Sequence, residues 1–272
     1  MAETTIRPTH EHALIDAREL WQYRQLFQVL VWRMLKVRYR QTVVGVGWAV
    51  LQPLMFILVF SLIFGLLARI PTEGQPYPIF VASGLLVWQF VAQGFQQTTT
   101  SIIANTELVS RIYFPRILLL LATLAAALVD FLSGLLVMAG FMIWYGFAPT
   151  IGVLAFLPAL LLGLVTVLGA ALWLGTLYVP YRDVGHLLPF MTQIWMFLSP
   201  VIYPLSLLPE KYEALYALNP IVVVVQTSRW AFANGSPPSL QMVLISTIVA
   251  VVLLVSGLWF FRRHEGNFAD IV

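Results

Sequence analysis

The sequence predicts an all-α membrane protein with six transmembrane helices, an amphipathic helix before the first and a short re-entrant segment before the last. Three observations carry this expectation. Of the 272 residues, 60% are hydrophobic and only 10% charged, whereas soluble domains carry about a quarter charged residues. Six stretches approach the roughly 20 apolar residues that a crossing helix needs. Lysine and arginine also gather on one side of those stretches.

In chain order, residues 1–45 form the N-terminal segment. Glu3, Arg7, Glu11, Asp16, Arg18 and Glu19 leave its first 19 residues without an apolar run. No cleavable signal is expected, and the first span serves as its own insertion signal. Within residues 19–42, Leu20, Tyr23, Phe27, Leu30, Met34 and Val37 recur at helical spacing, and Arg33, Lys36 and Arg40 share another face. An apolar stripe beside a basic face describes an interface helix lying on the membrane; a helix packed on protein is the alternative.

The spans are expected at Val46–Ala68, Pro78–Thr98, Ile117–Tyr145, Gly152–Tyr178, Leu187–Leu207 and Leu240–Phe261. They define a transmembrane domain over 46–261, followed by a tail over 262–272. The third and fourth are long enough to tilt. A seventh apolar run, Ile221–Ala233, follows Asn219-Pro220 and is too short to cross, which suits a re-entrant or interfacial segment. Trp48, Trp144, Tyr145, Tyr178 and Trp259 lie near span ends, where amphipathic rings favour the headgroup zone.

Basic residues orient the bundle. Arg7, Arg18, Arg24, Arg33, Lys36, Arg38 and Arg40 precede the first span, Arg111 and Arg116 follow the second, Arg182 follows the fourth, and Arg262 and Arg263 follow the sixth. Arg69, Lys211 and Arg229 fall on the other side. The positive-inside rule then makes both termini cytoplasmic and the 206–239 segment external.

The motifs of enzymes are absent. There is no cysteine, hence no disulfide, thiolate metal site or thiol nucleophile. Lys36 and Lys211 lack the glycine frame of a phosphate-binding loop, and neither a His-Glu-x-x-His pair nor a Gly-x-Ser-x-Gly elbow occurs. No metal site is expected from four scattered histidines.

Asp130 is the acidic residue placed inside a span, with Ala126 and Gly134 one turn to either side. Charge at that depth must face protein or water, so Asp130 is either a polar point in a transport path or a proton relay, or a packing contact in a stripe where another helix approaches. Trp88, Phe90, Trp195 and Phe197 sit mid-span, and Gln89, Gln93, Gln96 and Gln97 share a helix with the first pair. Their rings and amides either line a path on which sugars stack or fill space between helices. The connector 101–116 carries Glu107 and Arg111 four apart, with Asn105 or Thr106 as a cap.

The runs LKVRYRQTVVGVGWAVLQPLMFILVFSLIFGLLA (35–68), YPIFVASGLLVWQF (77–90), NTELVSRIYFPR (105–116), YRDV (181–184), LSPVIYPLSLLP (198–209) and LNP (218–220) resemble, in order, the ABC-2 type permeases that export bacterial polysaccharides. The O-antigen and teichoic-acid exporters are nearest, with the capsule exporters next. The resemblance implies a multi-pass protein of the bacterial inner membrane that exports a lipid-linked polysaccharide as a homodimer on two copies of a separate ATPase. ATP and Mg would be held by that partner, with no cofactor on this chain and no nucleic acid among its partners beside membrane lipids. It also implies an ATPase-coupling helix at Asn105, Thr106, Glu107, Leu108, Val109, Ser110 and Arg111, and external gate helices over about 209–235. An ABC-2 exporter of drugs or lipids, a membrane-embedded glycan transferase and an ungated channel are the rivals.

Overall fold

The computed structural model describes residues 17–39, 47–207 and 209–268, and among them the regular structure is helical throughout. Helices α1 (Ala17–Gln22) and α2 (Arg24–Tyr39) are joined at Tyr23. Helix α3 (Trp48–Phe60) runs on to Leu67 in wider π-type turns. Then come α4 (Tyr77–Ala104), α5 (Thr106–Arg111), α6 (Ile117–Tyr145), α7 (Gly152–Tyr178), α8 (Asp183–Leu198), α9 (Glu213–Ala217), α10 (Pro220–Phe232) and α11 (Leu240–His264).

Five of these segments are long and apolar enough to cross a membrane: Trp48–Leu67, α4, α6, α7 and α11. The stretch expected as a fifth span, Leu187–Leu207, is α-helical only as far as Leu198, with one 3-10 turn at Leu205–Leu207. At 16 residues, α8 is about 24 Å long, short of the ~30 Å hydrocarbon core. Ser199-Pro200 ends it, because proline lacks the N–H for the next helical bond and pushes the preceding residue out of the helical region; Ser199 is accordingly extended.

Helix α4 lies at the centre, packed by α6, α7, α10 and α3, with most of its residues buried. Gly146, at φ 69°, closes α6, and the Phe147 N–H bonds back to the Met142 carbonyl at 2.9 Å, the closure for which a left-handed glycine is suited. The outer faces of α7 and α11 expose Leu154, Leu157, Leu161, Ile248 and Val252, as a lipid-facing surface would. Trp48, Trp144 and Trp259 also face outward.

The amphipathic segment lays its apolar stripe on the bundle. Its helix is seen from Ala17 to Tyr39, and residues 40–42, with Arg40 and the domain boundary at 45/46, lie outside the described residues. Leu20, Tyr23, Phe27, Leu30 and Met34 pack onto the basic end of the bundle, against a cluster containing Ile102, Ile117 and Phe261. The stripe therefore covers protein, while Val37 at its end is 71% exposed beside Trp32. Helix α2 then follows α6 inward, Met34 touching Thr123 and Arg38 reaching Asp130. Asp130 is 13 residues beyond Ile117, about 20 Å along the helix. The partner that approaches the Ala126–Asp130 stripe is thus α2.

Candidate functional site

Gln89, Gln93 and Gln97 recur at i, i+4 and i+8 along α4 and fall on one helical face. They look into a two-lobed cleft. One lobe, of about 310 Å³, lies between α3, α4 and α6 and is lined by Gln52, Gln89, Phe90, Gln93 and Asp130. The other, of about 430 Å³, lies toward the basic end and is lined by Arg33, Gln97, Thr100, Asn105 and Thr123. Arg38 borders both.

The Arg38 guanidinium forms an ion pair with the Asp130 carboxylate and donates to the Gln97 side-chain carbonyl. The three residues come from α2, α6 and α4. The side chains of Arg38 and Asp130 are 26% and 13% exposed, so both charges are largely withdrawn from water and each compensates the other. Ser133 donates at 2.6 Å to the Asp130 backbone carbonyl, not to its carboxylate. The surface-facing basic residues of α2, Arg33 and Lys36, are exposed.

Of the residues expected on a substrate path, Phe90, Gln93 and Asp130 line the cleft. Phe90 is buried and packs on Phe131 at 5.5 Å. Trp88 and Trp195 instead meet each other edge-on at 6.2 Å, and Trp195 also meets Phe95 at 5.3 Å. Trp88 is 5% exposed, so within one chain its ring faces protein. The Trp195 indole N–H donates to the Asn219 side-chain oxygen at 3.0 Å. That oxygen also accepts from the Ile221 N–H that opens α10, while the Asn219 amide donates to Ser199 Oγ at 2.9 Å. Phe197 points outward on α8, 55% exposed. Trp195→Phe keeps an aromatic ring but removes the donor and part of the indole's packing, and is expected to lower stability by about 1–2 kcal/mol. The thermal midpoint of the purified chain checks this.

The connector forms α5 as a single short helix. Asn105 ends α4, and neither candidate cap closes the new helix: the Asn105 side-chain amide donates back to the Ser101 carbonyl and the Thr106 hydroxyl to the Ile103 carbonyl. Val109 is buried against the bundle and Leu108 packs beside it, whereas Glu107, Ser110 and Arg111 face outward. Ile112 and Tyr113 follow as exposed apolar residues. A groove of about 390 Å³ runs between Glu107, Arg111 and Arg33 of α2.

Arg229 is the residue that the sequence reading missed. The charge pattern puts it on the external side, and the structure buries it inside the bundle, 3% exposed. Its guanidinium donates to the Val201 carbonyl at 2.8 Å and the Tyr203 carbonyl at 3.2 Å, and lies 3.9 Å from the Phe80 ring centroid. The Tyr77 hydroxyl donates to the carbonyl between them, Ile202, at 3.1 Å. Three consecutive carbonyls of the irregular stretch after α8 are thus satisfied by side chains, as backbone shielded from water must be. The signal available was an arginine inside an apolar run, with Pro200 and Pro204 in another run needing donors.

Residues 25–233 match the ABC-2 type transporter family. The chain belongs to that family. An O-antigen export system permease protein of Myxococcus xanthus is 30% identical over 257 residues, 94% of this chain and 98% of the relative. A Klebsiella pneumoniae protein of the same name is 27% identical over 91% of this chain and 95% of its own length. The polysialic acid transport protein of Escherichia coli is 24% identical over 88% and 93%. This ABC-2 chain is therefore a transporter subunit of the membrane, and its cleft and α5 are to be read as parts of one.

Proposed function

We propose that this chain is the permease subunit of an ABC transporter that exports a lipid-linked polysaccharide of the O-antigen type across the bacterial inner membrane, driven by a separate ATPase. The observation that carries the reading is the nearly full-length likeness to O-antigen export permeases of two organisms. The amide-lined cleft agrees with it, since Gln52, Gln89 and Gln93 offer donors and acceptors to sugar hydroxyls beside the Phe90 ring. The basic end faces the cytoplasm with both termini. Helix α8 and the irregular stretch after it make the sixth crossing, and α9 with α10 forms a re-entrant external gate. Two copies of the chain enclose the channel, and two ATPase subunits hold ATP and Mg beneath them.

Deleting the gene in its host tests this. The expected result is loss of surface polysaccharide with lipid-linked polymer retained inside, restored by the chain only when its ATPase is present. An unchanged surface polysaccharide overturns the reading. Capsule polysaccharide export is the second reading, favoured by the likeness to the polysialic acid transport protein; the polymer that accumulates decides between them.

In this reading α5 docks on the ATPase, with Glu107 and Arg111 outermost. Glu107→Arg changes one exposed charge, worth about 0–1 kcal/mol to folding, but a misplaced charge at an interface costs several kcal/mol. The variant is expected to insert normally and to recover at least ~10-fold less ATPase on co-purification. Equal recovery removes α5 from the contact.

A further inference from the structure

The polar stripe of α4 runs without a break from Gln89 through Gln93 and Gln97 to Thr100, yet the space in front of it is two lobes and not one channel. Arg38 borders both lobes, and its guanidinium lies across the stripe, bound to Gln97 and to Asp130 on the facing helix. We infer that Arg38, held by Asp130 and Gln97, is the positioning residue that closes the export path between its cytoplasmic and mid-membrane lobes, and that withdrawal of α2 from α6 opens it. The inference rests on the transporter reading proposed above.

The closing group belongs to α2, whereas its anchors belong to α4 and α6. Sliding α2 along α6 therefore parts the pair while α4 and α6 keep their contact with each other. Charges of opposite sign are held tightly while the cleft is dry; once water fills the path both can be hydrated, so the pair is stable in two arrangements. The same helix is exposed to the partner: Arg33 lies one turn before Val37 and lines the groove shared with Glu107 and Arg111 on α5. Leu108 and Val109 of α5 share an apolar cluster with Leu26 and Leu30 of α2, through which a push on α5 reaches the gate. Replacing Arg38 should leave the path open without nucleotide, and a glycan need not be present for this to be read.

The chain has no cysteine, so single cysteines report directly. Gln93→Cys marks the mid-membrane lobe and Thr100→Cys the cytoplasmic lobe. A membrane-impermeant methanethiosulfonate is applied to the basic end in inverted vesicles holding the complex with its ATPase. Without nucleotide, Gln93→Cys is expected to react slowly, and Arg38→Ala to speed it at least tenfold, while Thr100→Cys reacts equally in both backgrounds. Arg38→Lys, and the exchanged pair Arg38→Asp with Asp130→Arg, should keep the slow rate, which a mere loss of volume would not explain. If Arg38→Ala fails to assemble, a non-hydrolysable ATP analogue on the otherwise unaltered complex is expected to speed Gln93→Cys instead. Equal Gln93→Cys rates in the Arg38 and Arg38→Ala backgrounds overturn the gate, as does a rate indifferent to nucleotide. Because labelling involves no glycan, the gate and the polysaccharide reading can each fail alone.

Discussion

Arg229→Leu is expected to lower stability by about 2–6 kcal/mol, the sum of two buried carbonyls left without donors at ~1–3 kcal/mol each. The side chain holds the chain where it leaves α8, through Val201 and Tyr203. Glycine at position 84 lets that segment come so close: a Cβ there would lie 2.8 Å from the Val201 carbonyl oxygen. Leucine matches the apolar surroundings but donates nothing, so water or a rearranged backbone must satisfy the two carbonyls. The loss should appear as a fall in thermal midpoint and as new proteolysis at residues 199–212, ahead of damage elsewhere. Arg229→Lys should be intermediate, since one ammonium cannot reproduce the planar fork that spans two acceptors. Phe80→Leu, which removes the ring beneath the guanidinium, should cost only about 1–2 kcal/mol of that interaction. If Arg229→Leu melts with the unmodified chain, the clamp contributes nothing.

Gly169→Leu should be as damaging, for a reason of packing alone. Helices α7 and α11 cross with almost no side chain between them. A Cβ on Gly169 would stand 2.8 Å from the Leu254 amide nitrogen, and one on Gly257 would stand 2.8 Å from the Gly169 carbonyl oxygen. Both neighbours are backbone and cannot rotate away. Around this crossing the Trp173 N–H donates to Ser256 Oγ at 3.1 Å, and its ring stacks on Phe260 at 4.3 Å; forcing the helices apart breaks these contacts together. Overpacking alone costs about 1–3 kcal/mol, and the lost contacts take the expected total above ~3 kcal/mol. Gly140→Ala is the contrast, because a Cβ there meets nothing within 4 Å, and a helical alanine should gain up to ~1 kcal/mol. Thermal unfolding of both variants in one detergent checks the pair; equal midpoints would show that the crossing is loose.

Composition and hydropathy determined the all-helical membrane character and the bounds of α6 and α7, whereas α4 runs on to Ala104 and α11 to His264, past the expected ends at Thr98 and Phe261. Ile117–Tyr145 and Gly152–Tyr178 coincide with α6 and α7, since Pro115 before the first and Gly146 between them punctuate the backbone locally. The motif order determined the family, because motifs are read along the chain and need no fold. Tertiary structure decided the rest. Leu187–Leu207 is as apolar as a helix, yet it stops at Leu198, and what makes an irregular continuation tolerable is Arg229, 26 residues beyond Tyr203. Asp130 was legible as a charge that needed company, but its partner, Arg38, lies on a helix before the first span. Trp88 and Trp195 were legible as mid-span indoles, and only the packing of α4 against α8 decided that their rings meet each other. Hydropathy and charge sum over neighbours in sequence. The contacts that close a path or satisfy a carbonyl join residues far apart in the chain, and only the packing of the helices brings them together.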